Sequence, residues 1–242
     1  MPPEQLIRLV GSADRKDFIE TGVEVACHLV DLCGLRAADR LLDIGCGVGR
    51  LALALAGAPF QPSSYVGLDV VPEAVEWCRA HLTPRHPTFK FELANVFNGN
   101  YNPNGTGQAR DYRFPSPADS FDVVVGNSLF THMFPDDVEH YVAEAARVLR
   151  PGGRFYATFF FVNREARELI AGGHSDFDFA NDFGSFRAEW EHEPEGAIGH
   201  SEESILRMYA DHGFESDPQI HYGRWAGRDG SLSYQDVVVA RL

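Results

Sequence analysis

Lysine is almost missing from this chain of 242 residues: Lys16 and Lys90 are the only two, and neither belongs to a basic cluster. The 21 basic side chains face 35 acidic ones, a formal net charge of −14. A protein that grips a phosphate backbone needs a basic stripe, so nucleic acid is not an expected partner. Cysteine is sparse as well. Cys27, Cys33, Cys46 and Cys78 form no C-x-x-C pair and have no histidines at zinc-finger spacing. That argues against a disulfide framework or a zinc module and fits free thiols in a reducing cytoplasm. Long apolar runs are lacking too. The longest, 51–60, covers ten residues, too few to cross a bilayer, so no membrane contact is expected. Residues 1–16 lack the apolar stretch of a secretory signal. There is no internal repeat and no low-complexity tract.

What the chain does have is core-forming material, 44% hydrophobic and 12% aromatic, and a length that suits one domain over 1–242 carrying a cap. Strand-like runs alternate with helical periodicity, the pattern of a mostly parallel α/β sheet. Helical spacing predicts a helix over 17–33, and strands are expected at 40–45, 64–69, 89–93, 121–126 and 154–162. Pro72 and Pro135 stand where helices open, and Pro151-Gly152-Gly153 reads as the end of the helix that Pro135 begins. Ser201 followed by Glu202 and Glu203 reads as a capped helix start. Strands at 218–222 and 234–241 close the chain, and such a hairpin places one strand antiparallel to the rest. Two stretches lack periodicity, 97–120 and 171–200. Both exceed an ordinary connection, and each is either a lid or cap over an acceptor or a plain surface insertion.

The sharpest local signal is Asp43-Ile44-Gly45-Cys46-Gly47-Val48-Gly49-Arg50. A strand ends there, and three glycines at alternate positions lead into a helix. Glycine permits both a tight turn and close approach of a ligand to the backbone, and the helix start beyond offers unpaired N–H groups. The spacing is G-x-G-x-G rather than the dinucleotide G-x-G-x-x-G. Asp69 ends the second strand about 20 residues beyond Gly49, where a carboxylate can accept from both hydroxyls of a ribose. Its plainer role is to cap the helix that opens at Pro72.

Together these residues resemble the class I S-adenosylmethionine-dependent methyltransferases of the small-molecule type. The resemblance runs over 43–161, and the closing hairpin over 218–241 is similar to that family's antiparallel seventh strand. It implies a Rossmann-like, doubly wound seven-stranded sheet, mostly parallel, with a small cap from the insertions. It also implies S-adenosyl-L-methionine as cofactor and S-adenosyl-L-homocysteine as product. Asp43, Gly45, Cys46, Gly47 and Gly49 match the first motif, and Asp69 with Val70 the second. Asn95 and Val96 stand where the family often has an acid facing the adenine amine. Asn127 and Ser128, after the fourth strand, complete the cofactor-binding set that the resemblance implies, and Pro151-Gly152-Gly153 is similar to the turn before the fifth.

Methyl transfer to oxygen needs the acceptor held in line and its proton removed. His132 follows the fourth strand, at the carboxyl end where open α/β sheets bind ligands, and is the candidate base. An ordinary imidazole would give its rate limb in the neutral range. His221 and Tyr222 are alternative bases. Asp136 and Asp137 read as first-turn acids of a helix rather than metal ligands, and no metal is expected. Phe177, Phe179, Phe183, Phe186, Trp190 and Trp225 either close over an apolar acceptor or form the core of a cap. The reading is an O-methyltransferase of a small hydroxyl compound, such as a sugar or secondary metabolite, with a homodimer left open. Two alternatives stand beside it: an N-methyltransferase of a small amine, and a non-catalytic cofactor binder of the same fold. An NAD-type oxidoreductase would want a Tyr-x-x-x-Lys dyad, which two lysines at 16 and 90 do not supply.

Overall fold

A computed structural model describes residues 1–242. In chain order the elements are α1 (Glu4–Leu9), α2 (Arg15–Asp31), β1 (Arg40–Ile44), α3 (Arg50–Ala56), β2 (Ser64–Asp69), α4 (Pro72–His81), β3 (Phe89–Leu93), β4 (Phe121–Gly126), α5 (Pro135–Val148) and β5 (Leu149–Phe159). Then come α6 (Arg164–Ala171), β6 (Asn181–Asp182), β7 (Phe186–Ala188), β8 (Ile198–His200), α7 (Glu202–Asp211), β9 (Gln219–His221) and β10 (Asp236–Arg241). Seven strands form one sheet in the order β3-β2-β1-β4-β5-β10-β9, and β6-β7-β8 make a separate three-stranded sheet. β1 pairs in parallel with β2 and β4, β2 with β3, and β10 runs antiparallel to both β5 and β9. No helix is long and apolar enough to cross a membrane.

Two compact units divide the chain. The first comprises Met1–Gln108 and Ser120–Asn127, the second Ala109–Asp119 and Ser128–Leu242. In the first, β1 and β4 are buried on both faces, so their sequences Arg-Leu-Leu-Asp-Ile and Phe-Asp-Val-Val-Val-Gly carry no polar alternation. Asp14 starts α2 by accepting from the Lys16 and Asp17 N–H groups at 2.8 and 2.9 Å. Helix α1 is not foreshadowed by any pattern in the sequence. Its Ile7 is buried with Phe18, Val48, Val71 and Ala74, so tertiary burial rather than local propensity holds it.

In the second unit the helix opened by Pro135 stops at Val148, because Leu149 already has extended backbone (φ −71°, ψ 140°). Pro151-Gly152-Gly153 therefore lies inside β5 instead of ending the helix. The Gly152 N–H donates to Leu242 O at 2.8 Å, and the Leu242 N–H returns to Gly153 O at 3.1 Å. Residues 97–120 do not form one insertion. The stretch to Gln108 folds onto the exit of β3, where Phe97 N–H donates to Gly107 O (2.8 Å) and Gly107 N–H to Asn95 O (2.9 Å). Residues 109–119 dock on α5: Phe114 is buried edge-on to Tyr141, and its N–H donates to Glu144 Oε2 at 2.7 Å. The 171–200 stretch contains the small sheet. Phe179 and Trp225 are buried with Phe160, Val162, Ala166, Ala197 and Ala226, with Phe177 against them. Those aromatics are the core of the cap.

Candidate functional site

The glycine loop and Asp69 form one clasp within the first unit. Gly47 (φ +53°) and Gly49 (φ +76°) hold left-handed backbone that a side chain would strain. A Cβ at Gly49 would also stand 2.8 Å from Leu82 Cδ1, and one at Gly47 would run into the Val10 side chain. One Asp69 carboxylate oxygen accepts the Gly47 N–H at 2.6 Å and the other the Val71 N–H at 2.9 Å. Neither bond caps the helix that opens at Pro72, whose N-cap is Val71 and carries no side-chain cap; Asp69 instead ties the loop to the end of β2. Each oxygen keeps a further lone pair for a hydroxyl, and the residue retains 8% exposure. Burial raises its pKa, and the backbone N–H groups pull it back.

Asp43 is buried and accepts from the Tyr65 hydroxyl. Burial pushes its pKa up to about 7, against the hydrogen bond from Tyr65 and with the Asp69 charge. Its carboxyl therefore braces β1 against β2. The Cys46 thiol lies against β2, since a Cβ on Gly67 would come within 2.7 Å of Cys46 Sγ. Its backbone is engaged as well, the N–H donating to Leu68 O at 3.0 Å and the carbonyl accepting from the Gly49 N–H at 3.0 Å, so Cys46 shapes the turn. The Arg50 guanidinium donates to Val10 O (3.4 Å) and Ser12 Oγ (3.2 Å), which fixes the chain after α1 beside the loop. Val70 packs on the cluster around Ile7 together with Tyr101.

At the exit of β3, Asn95 is exposed and Nδ2 donates to Thr106 Oγ1 at 2.9 Å, leaving the amide oxygen as acceptor. Val96 is buried, its carbonyl held by Asn102 Nδ2 at 3.0 Å. β1, β2 and β3 are neighbours in parallel register, Asp43 opposite Gly67 and Asp69 opposite Leu93. Gly45, Asp69 with Val70, and Asn95 therefore follow one another along the carboxyl edge of three strands. Asn127 stands partly exposed at the exit of β4.

The second unit holds the candidate base. Ser128 has φ +56°, a left-handed conformation rare outside glycine, secured by a closed ring of hydrogen bonds. Ser128 N–H donates to Thr158 Oγ1 (2.7 Å), the Thr158 hydroxyl to Gln235 Oε1 (2.6 Å), and Gln235 Nε2 to Ser128 Oγ (2.9 Å). Nothing in the sequence marks Thr158 or Gln235 for this role, because both lie far from the motif. A 3-10 turn, Phe130–His132, follows. His132 Nδ1 lies 2.8 Å from Glu195 O and must donate to it, so Nε2 is the basic nitrogen. Burial lowers its pKa below the ordinary 6.5, against hydrogen bonding to the backbone at Glu195 and Gly196. The sequence suggests an imidazole titrating in the neutral range; burial here moves it downward.

The alternative bases fare differently. The Tyr222 hydroxyl donates to Glu202 Oε1 at 2.9 Å, and burial with that bond pushes its pKa up to about 12. It is not a base near neutrality. His221 is half-buried on β9 opposite Val237, and its Nε2 has no hydrogen-bond partner. Asp136 and Asp137 occupy the first turn of α5, as expected, and burial raises Asp137 and Glu195. The remaining aromatics form an outward row. Phe183 (43% exposed) stacks on Phe186 at 4.9 Å, and Phe186 meets Phe134 edge-on at 5.3 Å. Trp190 is exposed and lies across Gly196.

A parallel sheet in this strand order, closed by one antiparallel strand and carrying a glycine clasp with an acid after β2, defines the class I S-adenosylmethionine-dependent methyltransferase fold. Residues 42–157 match the family described as "Methyltransferase domain". A fatty-acid O-methyltransferase from Mycolicibacterium smegmatis is 35% identical over 119 residues, 49% of this chain and 36% of that protein. A ubiquinone biosynthesis O-methyltransferase from Thiobacillus denitrificans is 32% identical over 141 residues, 58% of this chain and 52% of the other. The chain thus spans about half or less of the length of these relatives. A SAM-dependent methyltransferase of known structure from Methanosarcina mazei aligns with a TM-score of 0.56 at 21% identity, over 86% of this chain and 93% of that one. The donor set in the first unit suits the cofactor: an acid for a diol, an amide oxygen for an amine, and glycines that leave the backbone approachable.

Proposed function

We propose that the protein methylates a hydroxyl oxygen of a small molecule, such as a sugar or secondary metabolite, with His132 as general base. Gly45, Gly47, Gly49, Asp69, Val70 and Asn95 would hold S-adenosyl-L-methionine, with Cys46 and Val96 shaping the turns beside it and Asp43 bracing the strand beneath. When bound, that cofactor supplies a sulfonium methyl group whose sulfur departs as a neutral thioether and needs no proton. The chain must then hold the acceptor oxygen in line and take its proton. Nε2 of His132 would accept the proton as the oxygen–carbon bond forms. The observation that carries this reading is the bond from Nδ1 to the Glu195 carbonyl, which makes Nε2 the unprotonated nitrogen. The names of two relatives, both O-methyltransferases, support oxygen as the acceptor atom. The exposed Phe183 with the half-buried Phe186 and Phe134 beneath it supports an acceptor with an apolar or ring face.

A labelled methyl donor offered with pooled phenols, sugars, fatty acids, amines and a tRNA transcript identifies the acceptor class. With the acceptor so found, His132→Ala should lose about 10²–10⁴-fold in turnover and keep its affinity for S-adenosylhomocysteine. The parental rate should rise through a pKa below 6.5, and that limb should vanish in the variant. His132→Gln can hydrogen-bond an acceptor but takes no proton. Near-parental turnover in that variant would reduce His132 to a positioning group, and labelling of amines alone would move the reaction to nitrogen.

A further inference from the structure

Two imidazole–carbonyl bonds join the 130–132 turn to residues 194–200, and they run in opposite directions. His132 on the turn donates to the Glu195 carbonyl at 2.8 Å, and His200 donates from Nε2 to the Phe130 carbonyl, also at 2.8 Å. The first bond fixes the imidazole of the candidate base. The second fixes the peptide two residues before it. His200 is itself firmly anchored. Its N–H donates to Phe160 O at 2.8 Å, its carbonyl accepts from Val162 N–H at 3.0 Å, and its ring stands edge-on to Phe159. Phe130 is stacked on the same Phe159 ring at 5.2 Å. His200 is 1% exposed. An aliphatic side chain would fill that volume without the cost of burying an imidazole, so packing alone does not account for a histidine here. What the imidazole adds is one N–H aimed at one carbonyl.

We propose that His200 is the positioning residue for His132, setting the angle of the 130–132 turn through the Phe130 carbonyl so that Nε2 of His132 points along one direction. This rests on the reading of His132 as base. The geometry points to a specific discrimination among substitutes. A glutamine amide reaches about as far as Nε2 and can donate; an asparagine amide is equally polar but too short; leucine keeps the volume and loses the donor.

His200→Gln, His200→Asn and His200→Leu would be compared in the full chain by thermal melting, S-adenosylhomocysteine affinity, turnover and the pH titration of the His132 imidazole by ¹⁵N NMR. The charged groups on the neighbouring elements, Glu195 with Asp136 and Asp137, are unchanged in all three variants. The Gln variant should keep turnover within about 3-fold and leave the His132 titration in place. The Asn and Leu variants should lose about 10–100-fold in turnover, as expected for a misplaced reacting group, with cofactor affinity unchanged. Their His132 titration should move up toward the ordinary imidazole value as the turn loosens. Equal turnover and equal titration across the three would overturn the proposal, and so would equal loss in Gln and Asn. If Leu fails to fold, the Gln–Asn contrast decides. A His132 titration that shifts in Asn but not Gln, in a protein whose turnover survives His132→Gln, would keep the positioning role and discard the base.

Discussion

The glycine clasp of the first unit and the 128–132 turn of the second both hold backbone in left-handed conformations, by different means. At Gly47 and Gly49 the residues themselves permit it, and one carboxylate, Asp69, fastens the loop with two N–H groups. At Ser128 the residue resists it, and a ring of side chains from β5 and from Gln235, just before β10, enforces it. A fastening built on backbone and one acid suits a ligand that stays the same across many proteins. A fastening built on remote side chains can be re-aimed by changing those side chains.

The contrast breaks most visibly at Asp69. Asp69→Ala should weaken S-adenosylhomocysteine binding by about 2–4 kcal/mol in calorimetry, because charge-assisted hydrogen bonds to the ligand and the clasp on Gly47 go together. Unchanged affinity in a folded variant would make Asp69 a loop fastener and no more. A pH-dependent effect, on stability rather than binding, is expected at Asp43. Its folded pKa, about 7, exceeds the ordinary 3.8, so its contribution to stability is complete below about pH 4 and is lost as pH rises through 7. In urea unfolding between pH 4 and 8, Asp43→Asn should flatten that fall by up to about 1.4 kcal/mol per pH unit. An identical slope in both proteins would mean that the carboxyl is ionised throughout. The smallest effect belongs to the outward row. Phe183→Ser should shift stability by less than about 0.5 kcal/mol, since the ring is exposed, and raise KM for a ring-bearing acceptor about 2–10-fold. An unaltered KM would leave the row without a part in acceptor choice.

The same contrast explains what could be read from the sequence. β2, β3 and β4 fall at the expected residues, and the glycines of the loop announce their conformation, because each demand is written in the residue that meets it. Helix α1 is illegible there: its six residues are weakly patterned alone and make sense only once Val48, Val71 and Ala74 are beside Ile7. Pro151-Gly152-Gly153 misleads for a related reason, since a proline and two glycines read as a stop while the pairing with Leu242 draws them into a strand. His132 stands out by its place after β4. Thr158, His200 and Gln235 do not, because nothing near them in sequence signals that their partners lie at 128 and 130.

The closed ring at Ser128 also sets a timetable. A chain is made from its N-terminus, and Gln235 is synthesised more than a hundred positions after Ser128. Strand β10 follows β9 in sequence yet lies between β5 and β9 in the sheet. On a nascent chain every residue of the glycine clasp is present while the turn that carries His132 still lacks Gln235. During that interval Ser128 can relax to ordinary backbone. The ring around Ser128 can therefore close only late in synthesis, and a chain cut short before Gln235 would lack it.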